Sequence, residues 1–363
     1  MDSHDVSLCA VGDVAAFFKN PESMFAHTSS ILNEADITFG QNERHYTDRY
    51  SEKDLLPGVP LTEIAPLEHA AALKLGGFDV MSFASNHCMD LGPDVMMETI
   101  GVLKNLGFAV IGAGANIAEA RKPAFIERKG VRMGFLAYCS VLRNNYQAGP
   151  TSAGAAPMRA YTHYLQTDYQ PGTAPTILTF PYKDDLEALL DDVKKARAQC
   201  DVLALSMHWG LHGVKGAIAM YQKEVAYAAI DAGVDIILGH HPHRLKGIEV
   251  YKGNPIFYSL GNFCFDQPRW VLDEGRKRSP EHAAHMDKYG FRTDPEWDEW
   301  YAVPAENRKS MLVKCDIVDK KIRRVCFLPI MINNKAQPRV LRRSEKDFDD
   351  VFDYSGTLPK VRE

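Results

Sequence analysis

The sequence predicts a layered α/β domain whose central strands are mostly parallel. Short apolar runs of strand character alternate with helical stretches along the first part of the chain, and this alternation is typical of parallel sheets covered by helices. The 363 residues, of which 45% are hydrophobic and 25% charged, suffice to bury a large core as one domain or two modest ones. Polar residues of metal-ligand type directly follow several of the apolar runs, which favours a binding site along one edge of the sheet.

The individual strands and helices are predicted from hydrophobic periodicity and from the residues that end each run. Strands are expected at 6–11, 36–40, 78–84, 109–113, 201–207 and 235–238. Helices are expected at 23–33, 61–75, 93–106, 184–199 and 221–232. Two hairpins are expected, one spanning 124–138 and one spanning 311–330 that closes the second sheet.

Residues 1–330 are expected to form one domain, followed by a loosely docked tail at 331–363. The segment 142–181, rich in Gly, Pro, Tyr and Thr, is interpreted as an insertion beside the site, because long irregular segments of compact domains are often functional. A second insertion, at 267–309, is equally well interpreted as a lid over the substrate or as a small helical core or dimer contact. Its large aromatic residues are Trp270, Tyr289, Phe291, Trp297, Trp300 and Tyr301.

Composition and charge argue against a nucleic-acid-binding protein, a disulfide-rich protein and a membrane-spanning protein. The formal charge of −5 and the lack of a basic block interleaved with aromatics give no reason to expect a nucleic acid partner. The seven cysteines are scattered and contain no C-x-x-C, which favours reduced thiols in the cytoplasm over a disulfide framework or a zinc knuckle. There is no signal-peptide pattern, and no apolar run approaches the roughly 18 residues of a membrane-spanning helix. We therefore expect a cytoplasmic protein without a membrane span that acts on a small-molecule or peptide substrate.

Three histidines follow the predicted strand 235–238 within a stretch of four residues. Gly239 allows a sharp turn at the strand end, and His240, His241 and His243 supply imidazole nitrogens, which are common ligands of transition metals. A surface histidine cluster without an ion is the alternative. A metal explains three clustered imidazoles at a strand end better than a solvated surface does.

Polar side chains occupy the same position, just past a strand, at further points in the chain. Because the carboxyl ends of parallel strands lie along one edge of a sheet, these side chains are expected to meet. Carboxylate, amide and imidazole groups in this number fit a two-metal site that activates water, with Mn²⁺, Fe²⁺ or Zn²⁺ as suitable ions. The absence of cysteine from the set argues against a structural zinc. The candidates are Asp13, Glu43, Asn86, His87, His208, His241 and His243.

The segment 85–92 also has a purely structural interpretation. It reads SNHCMDLG and begins directly after the predicted strand 78–84. An Asx turn and a helix N-cap, with Asp90 and Asp94 as contributors, would explain its polar residues without any chemistry. Cys88, beside His87, is interpreted as a packing residue, because no second base is spaced to activate it as a nucleophile.

Five motifs together resemble a known family. They are VGD at 11–13, NE at 42–43, SNHCMDLG at 85–92, HWG at 208–210 and GHHPHRLKGIEVYKGNPIFYSLGNFCFD at 239–266. Over roughly residues 6–266 the chain is similar to the poly-γ-glutamate capsule-biosynthesis (CapA-type) family, which is related in fold to the calcineurin-like metallophosphoesterases. The resemblance implies a four-layer α/β/β/α sandwich, with two sheets face to face and helices outside.

The resemblance also implies roles for single residues. Glu43 would bridge two divalent metal ions. His87 would protonate a leaving group or stabilise charge in the transition state, and Asp90 would orient its imidazole. His240 would contact the ligands rather than an ion. The ligands implied for the first ion are Asp13, Glu43 and His243, and those for the second are Glu43, Asn86, His208 and His241.

The sequence departs from the family pattern in three places. Phosphoesterases usually carry D-x-H at the end of the first strand, whereas Ala15 stands here at the position of the histidine. The usual N-L-E is replaced by Gln41-Asn42-Glu43. The capsule proteins usually have an N-terminal membrane anchor, which this sequence does not show, so a direct role in capsule export is not expected.

The predicted function is that of a metal-dependent hydrolase with a dinuclear centre. Metal-activated water would attack a phosphoester bond or an amide bond of the γ-glutamyl type. One alternative is a metal-dependent peptide epimerase or lyase, in which His87 abstracts a proton next to a polarised carbonyl. Another is a non-catalytic polymer-binding assembly protein that keeps the fold, which the Ala15 departure favours.

Overall fold

The structure is a computed structural model that describes residues 5–17, 19–49, 64–166, 168, 172–269, 273, 276–277, 280–288, 301 and 305–355. Its strands are β1 Val6–Val14, β2 Ile37–Asn42, β3 His45–Tyr46, β4 Ile64–Ala65, β5 Val80–Ser82, β6 Ala109–Ile111, β7 Ala113–Gly114, β8 Ala124–Arg128, β9 Val131–Cys139, β10 Gly154–Ala155, β11 Ala160–Leu165, β12 Thr176–Pro181, β13 Val202–His208, β14 Ile236–His240, β15 Ile248–Tyr251, β16 Asn254–Phe257, β17 Asn262–Cys264, β18 Lys309–Val318, β19 Lys321–Ile332 and β20 Pro338–Val340. Its α-helices are α1 Ser29–Asn33, α2 Gly92–Asn105, α3 Ile117–Ala120, α4 Lys183–Arg197, α5 Met220–Ala232, α6 Pro280–Lys288 and α7 Asp347–Ser355. The 3-10 helices are Pro21–Ser23, Leu67–Gly76 and Ala305–Arg308.

Two main sheets make up the centre of the molecule. The first has eight strands in the order β20-β19-β18-β1-β2-β5-β6, with β17 also paired to β1. The second has six strands in the order β15-β16-β14-β13-β9-β8. The strands β1, β2, β5 and β6 run parallel in the first sheet, as β9, β13, β14 and β16 do in the second.

The two sheets pack face to face and carry helices on their outer faces. Along β1, Leu8 faces the core between the sheets, whereas its neighbour Cys9 belongs to the outer cluster under α1 and α2. Between the sheets, Phe39 of β2 stacks on Phe135 of β9 with ring centroids 6.0 Å apart. On the far side, α4 and α5 pack against Leu205 of β13 and its neighbours. Strands apolar on both faces are typical of sheets covered on both sides, and the four-layer α/β/β/α sandwich is confirmed.

Three predicted elements were wrong in detail. The helix expected at 23–33 is reduced to α1, because residues 24–28 form turns that bury the adjacent side chains of Met24 and Phe25. The helix expected at 61–75 is the 3-10 helix Leu67–Gly76, which buries residues at a spacing of three; residues 61–63 lie outside the described part. The hairpin of β18 and β19 was expected in the second sheet, but β18 pairs with β1. The hairpin of β8 and β9 is confirmed.

The expected insertions and tail contain ordered elements. Within 142–181, β11 and β12 form an antiparallel ribbon. Within 331–363, β20 pairs with β19, and α7 buries Val351. About half of the aromatic segment 267–309 is described, including α6; of its large aromatic residues, the described part includes Tyr301 but not Trp270, Tyr289, Phe291, Trp297 or Trp300. No helix in the described ranges is long and apolar enough to cross a bilayer.

An aspartate stands directly before each of four parallel strands, at the end of the sandwich opposite the candidate site. Each accepts the backbone N–H of a neighbouring strand and lies within 3.2 Å of a cationic side chain, so it fixes the strand register and closes the sheet end. The aspartates and their N–H donors are Asp36 with Ser7, Asp79 with Thr38, Asp201 with Arg132 and Asp235 with Leu203. Their cationic partners are Lys129, Arg128, Lys320 and Arg197.

The Asp36→Asn variant is expected to unfold about 1 kcal/mol more easily near neutral pH. Burial opposes the charge of Asp36, but Lys129 at 2.8 Å and the Ser7 N–H and hydroxyl hold its pKa below the ordinary value. A carboxyl whose pKa is lowered by folding stabilises the protein above about pH 4 and loses this contribution as the pH falls through the folded-state pKa. The destabilisation measured by urea unfolding should therefore shrink in acid.

Asp319→Asn is the matched control for this prediction. Its side chain is 80% exposed and pairs loosely with Arg323 at 3.8 Å, so the free energy of unfolding should hardly change. An Asp36→Asn penalty that stays constant from neutral to acid pH would show that shape rather than charge is responsible.

Candidate metal centre

The predicted ligands come from two facing sheets rather than from one sheet edge. Asp13 lies near the end of β1 and Glu43 directly follows β2, both in the first sheet. His208 ends β13 and His241 directly follows β14, both in the second sheet. The parallel strands of the two sheets end on the same side of the sandwich, so their polar ends meet across the gap, as the 3.1 Å distance from Asp13 Oδ1 to His240 Nδ1 shows.

The first group of donors consists of Asp13, Glu43 and His243. One ligand atom from each lies within 4.8 Å of the others. Asp13 Oδ2 is 3.2 Å from His243 Nδ1. Burial disfavours the charged form of both Asp13 and His243. Contacts with His240 and His243 nevertheless lower the pKa of Asp13, and Asp13 raises the pKa of His243 to about 9.

The second group is centred on the side-chain oxygen of Asn86. Asn86 Oδ1 is 2.7 Å from His208 Nε2 and 3.1 Å from His241 Nδ1. Glu43 Oε1 is 3.5 Å from the same His208 nitrogen, so Glu43 borders both groups. Burial and neighbouring histidines lower the pKa of His241 to about 3 and that of His208 well below its usual value. Both imidazoles are therefore neutral, the form that binds metals.

The donor set fits divalent transition-metal ions. Two carboxylates buried this deeply are costly without a cation, and a bound metal ion would take the place of the proton that Asp13 stabilises on His243. His208 Nδ1 and His240 Nε2 are buried without a hydrogen-bond partner in the described part of the chain, which is typical of groups next to an ion or water. Mixed nitrogen and oxygen donors without sulfur suit Mn²⁺, Fe²⁺ or Zn²⁺.

The backbone around the histidine cluster adopts conformations that side chains rarely favour. His241 has φ +93° and His243 has φ +52°, so both imidazoles are carried on left-handed backbone. Such strain concentrates at sites where the surrounding structure fixes it. Gly12 is required for a steric reason. A Cβ at this position would lie 1.9 Å from the carbonyl oxygen of Gly261, the residue directly before β17.

The half-buried His87 and the buried Asp90 form a pair beside the donor groups. His87 Nδ1 donates to Asp90 Oδ2 at 2.6 Å, and the carbonyl of His87 accepts from His45 Nε2 at 2.8 Å. Burial tends to raise the pKa of Asp90, but the charge and hydrogen bond of His87 lower it overall. Asp90 is not a helix cap, since α2 starts after Leu91 without a side-chain cap. The carboxylate therefore fixes the tautomer and orientation of the imidazole.

Sequence reasoning missed several residues that hold these ligands in place. Ser85 Oγ donates to Glu43 Oε2 at 2.6 Å. Asn262 Oδ1 lies 2.7 Å from His243 Nδ1, and its amide donates to the hydroxyl of Tyr301 at 2.8 Å. The sequence signal for Asn262 was its place after an apolar run. In the structure it pairs in register with Asp13.

His212 is a further histidine at this end of the sandwich that sequence reasoning did not select. It lies four residues after His208 in a loop with positive φ at Gly210, Gly213 and Gly216. Its ring centroid is 5.3 Å from that of His243 and 5.6 Å from that of His241. The glycine-rich HWGLHG stretch was its only local signal.

All eight selected residues thus belong to one connected cluster.

Ala15, at the position where the family pattern has a histidine, is fully buried and donates its backbone N–H to the carbonyl of Cys264. The first donor group consequently lacks that imidazole, as the sequence predicted.

Comparisons with known proteins agree with the motifs. The family described as "Bacterial capsule synthesis protein PGA_cap" matches residues 5–267. The chain is 29% identical over 309 residues to the PGA biosynthesis protein CapA of Bacillus subtilis (strain 168). This alignment covers 83% of this chain and 71% of that protein. It is 30% identical over 250 residues to the capsule biosynthesis protein CapA of Bacillus anthracis, covering 67% of this chain and 54% of that protein.

Among solved structures, a novel phosphatase from Mycoplasma pneumoniae aligns with a TM-score of 0.49 at 12% identity, covering 96% of this chain and 99% of that one. The family match spans well over half of the sequence and contains every residue of the candidate centre. The chain belongs to the PGA_cap family of bacterial capsule synthesis proteins.

Proposed function

We propose that this chain is a metal-dependent hydrolase with a two-metal centre that cleaves a phosphoester bond or an amide bond of the γ-glutamyl type. The observation that carries the proposal is the position of Glu43. Its carboxylate borders Asp13 and His243 on one side and His208 on the other, as a ligand shared by two ions would. Bound ions would supply a polarised substrate oxygen and an acidified water at neutral pH.

The remaining chemistry is assigned to side chains of this chain. The two imidazoles held neutral by burial, His208 and His241, are ready to act as ligands without losing a proton. In its imidazolium form His87 would transfer the proton on Nε2 to the leaving group, and Asp90 would stabilise that form and orient the ring through Nδ1.

The choice of bond has two sources of support. A histidine and aspartate pair beside carboxylate and imidazole ligands suits the protonation of an alkoxide leaving a phosphoester. The names of the relatives refer to PGA and capsule biosynthesis, which supports an amide of the γ-glutamyl type as the other candidate. The free state of all seven cysteines supports a reducing, cytoplasmic environment.

Metal content measured by mass spectrometry on the purified protein tests the proposal. We expect about two equivalents of Mn, Fe or Zn in the wild type and clearly less in the His241→Ala variant. The reconstituted protein should then hydrolyse at least one member of a panel of phosphomonoesters, phosphodiesters and γ-glutamyl anilides.

His27→Ala is the control, because this exposed histidine lies outside the donor groups and its loss should leave the metal content unchanged. Less than about one equivalent of metal in the wild type, unaltered by His241→Ala, would contradict a two-metal hydrolase. Two equivalents of metal without turnover of any panel member would instead favour the polymer-binding alternative.

A further inference from the structure

The second carboxylate oxygen of Asp90 faces a tight turn that follows β9. Tyr146 donates its hydroxyl to Asp90 Oδ1 at 2.9 Å, and Arg143 Nη1 lies 3.7 Å from the same oxygen. The turn closes through a hydrogen bond from Tyr146 N to Arg143 O, with Asn145 at φ +69°. A residue of the 142–181 segment therefore brings a guanidinium next to the His87 and Asp90 pair.

Asp90 does not engage this guanidinium closely. Its Oδ2 is taken by His87 and its Oδ1 by Tyr146, and 3.7 Å exceeds the length of a charged hydrogen bond. The Arg143 side chain is 38% exposed. Arg159 shows the contrast: it is equally exposed, at 39%, yet it closes on Asp185 with two hydrogen bonds of 2.7 and 2.8 Å.

Other cations at this end of the sandwich serve the fold. Arg44 is buried and paired with Asp266 at 2.8 Å. Arg244 and Lys246 are buried and donate to backbone carbonyls of the loop that carries His212. Arg143 differs from these three in being half-buried and only loosely held by the carboxylate next to it.

We propose that Arg143 binds an oxyanion of the substrate, phosphoryl or carboxylate, beside the bond on which His87 acts. The inference rests on the proposed function and gives it a substrate class, namely molecules that carry an anionic group next to the cleaved bond. A guanidinium fork matches the geometry of either oxyanion through two parallel N–H donors. Tyr146 is a positioning residue, which holds Asp90 and through it His87.

Calorimetric titration of the Mn²⁺-loaded protein with inorganic phosphate and, separately, with glutarate tests this inference. Arg143→Gln should weaken the binding of one or both probes by at least about tenfold. Arg143→Lys should weaken it less, because it keeps the charge and loses the fork. Arg159→Gln, the matched control, should bind as the wild type does. A phosphate response points to a phosphoryl group and a glutarate response to a carboxylate.

The Tyr146→Phe variant separates substrate binding from support of Asp90. It should lower kcat and change both dissociation constants far less than Arg143→Gln does, because it removes a hydrogen bond to Asp90 and keeps the ring over which the guanidinium lies. If Arg143→Gln behaves in the same way, Arg143 only supports Asp90 and the inference is overturned. Metal content measured on the same samples keeps the two proposals apart: normal metal with unchanged anion binding removes only the role of Arg143, whereas missing metal removes the hydrolase.

Discussion

Glu43→Gln is expected to lower the bound metal to less than about one equivalent and turnover by at least about a hundredfold. Glutamine keeps the volume of the side chain and can still accept the Ser85 hydrogen bond, which is 2.6 Å long in the wild type. It removes the negative charge that borders both donor groups, so both ion sites should weaken together. Metal analysis and steady-state kinetics at several metal concentrations measure the loss.

Ser85→Ala provides a graded comparison with this variant. Losing the hydroxyl that orients Glu43 should reduce metal affinity by about ten- to a hundredfold without abolishing binding, so excess metal should restore activity. Excess metal should not restore the activity of the Glu43→Gln variant. A Glu43→Gln protein that retains about two equivalents of metal would contradict the shared role of this carboxylate.

Stability should respond to Glu43→Gln in the opposite direction to activity. In the metal-free protein Glu43 is a carboxylate buried near a second carboxylate, Asp13, and such charges are retained for function rather than for folding. In the presence of a chelator the variant should therefore have a melting temperature equal to or above that of the wild type. A clearly lower value would show that Glu43 supports the fold through Ser85 and not only the ions.

The sequence was sufficient to predict the candidate residues because the signal is local. In parallel strands, the residue after the last apolar position is forced to the same end of the sheet, so Asp13, Glu43 and His208 could be selected one by one. The histidine cluster around His241 could be selected because several histidines directly follow one glycine at a strand end. The layered α/β class followed from the same alternation of strands and helices.

The arrangement of these residues depends on contacts that no local pattern records. Strand alternation does not determine which strands share a sheet, so the ligands were expected along one sheet edge, whereas they come from two. The partnership of Asn262 with His243 and that of Tyr146 with Asp90 span 19 and 56 positions of the sequence. The helix predicted at 61–75 failed because burial at a spacing of three favours 3-10 geometry, which apolar composition alone does not distinguish from an α-helix.

His87→Ala is expected to lower kcat by about a hundred- to ten-thousandfold while the metal content stays at the wild-type level. The reason is that Nδ1 of His87 hydrogen-bonds to Asp90 and His87 is assigned to proton transfer, so we expect its loss to remove that step and not an ion. Asp90→Asn should cause a smaller loss, about ten- to a hundredfold, because the imidazole remains but its tautomer is no longer fixed. Kinetic constants and metal analysis on the same preparations measure both effects.

The leaving group distinguishes the two roles assigned to His87. A group that leaves as a weakly basic anion, such as p-nitrophenolate, needs little protonation, whereas an alkoxide needs it fully. If His87 acts as the general acid, His87→Ala should slow the hydrolysis of an alkyl ester far more than that of a p-nitrophenyl ester. Equal losses for both esters would instead indicate that the imidazole stabilises charge in the transition state, and a loss of metal in the variant would make His87 a ligand. Because the buried carboxylate of Asp90 faces Nδ1 and stabilises the imidazolium form of His87, the proton available to a substrate is the one that this form carries on Nε2, and the first outcome is the one we expect.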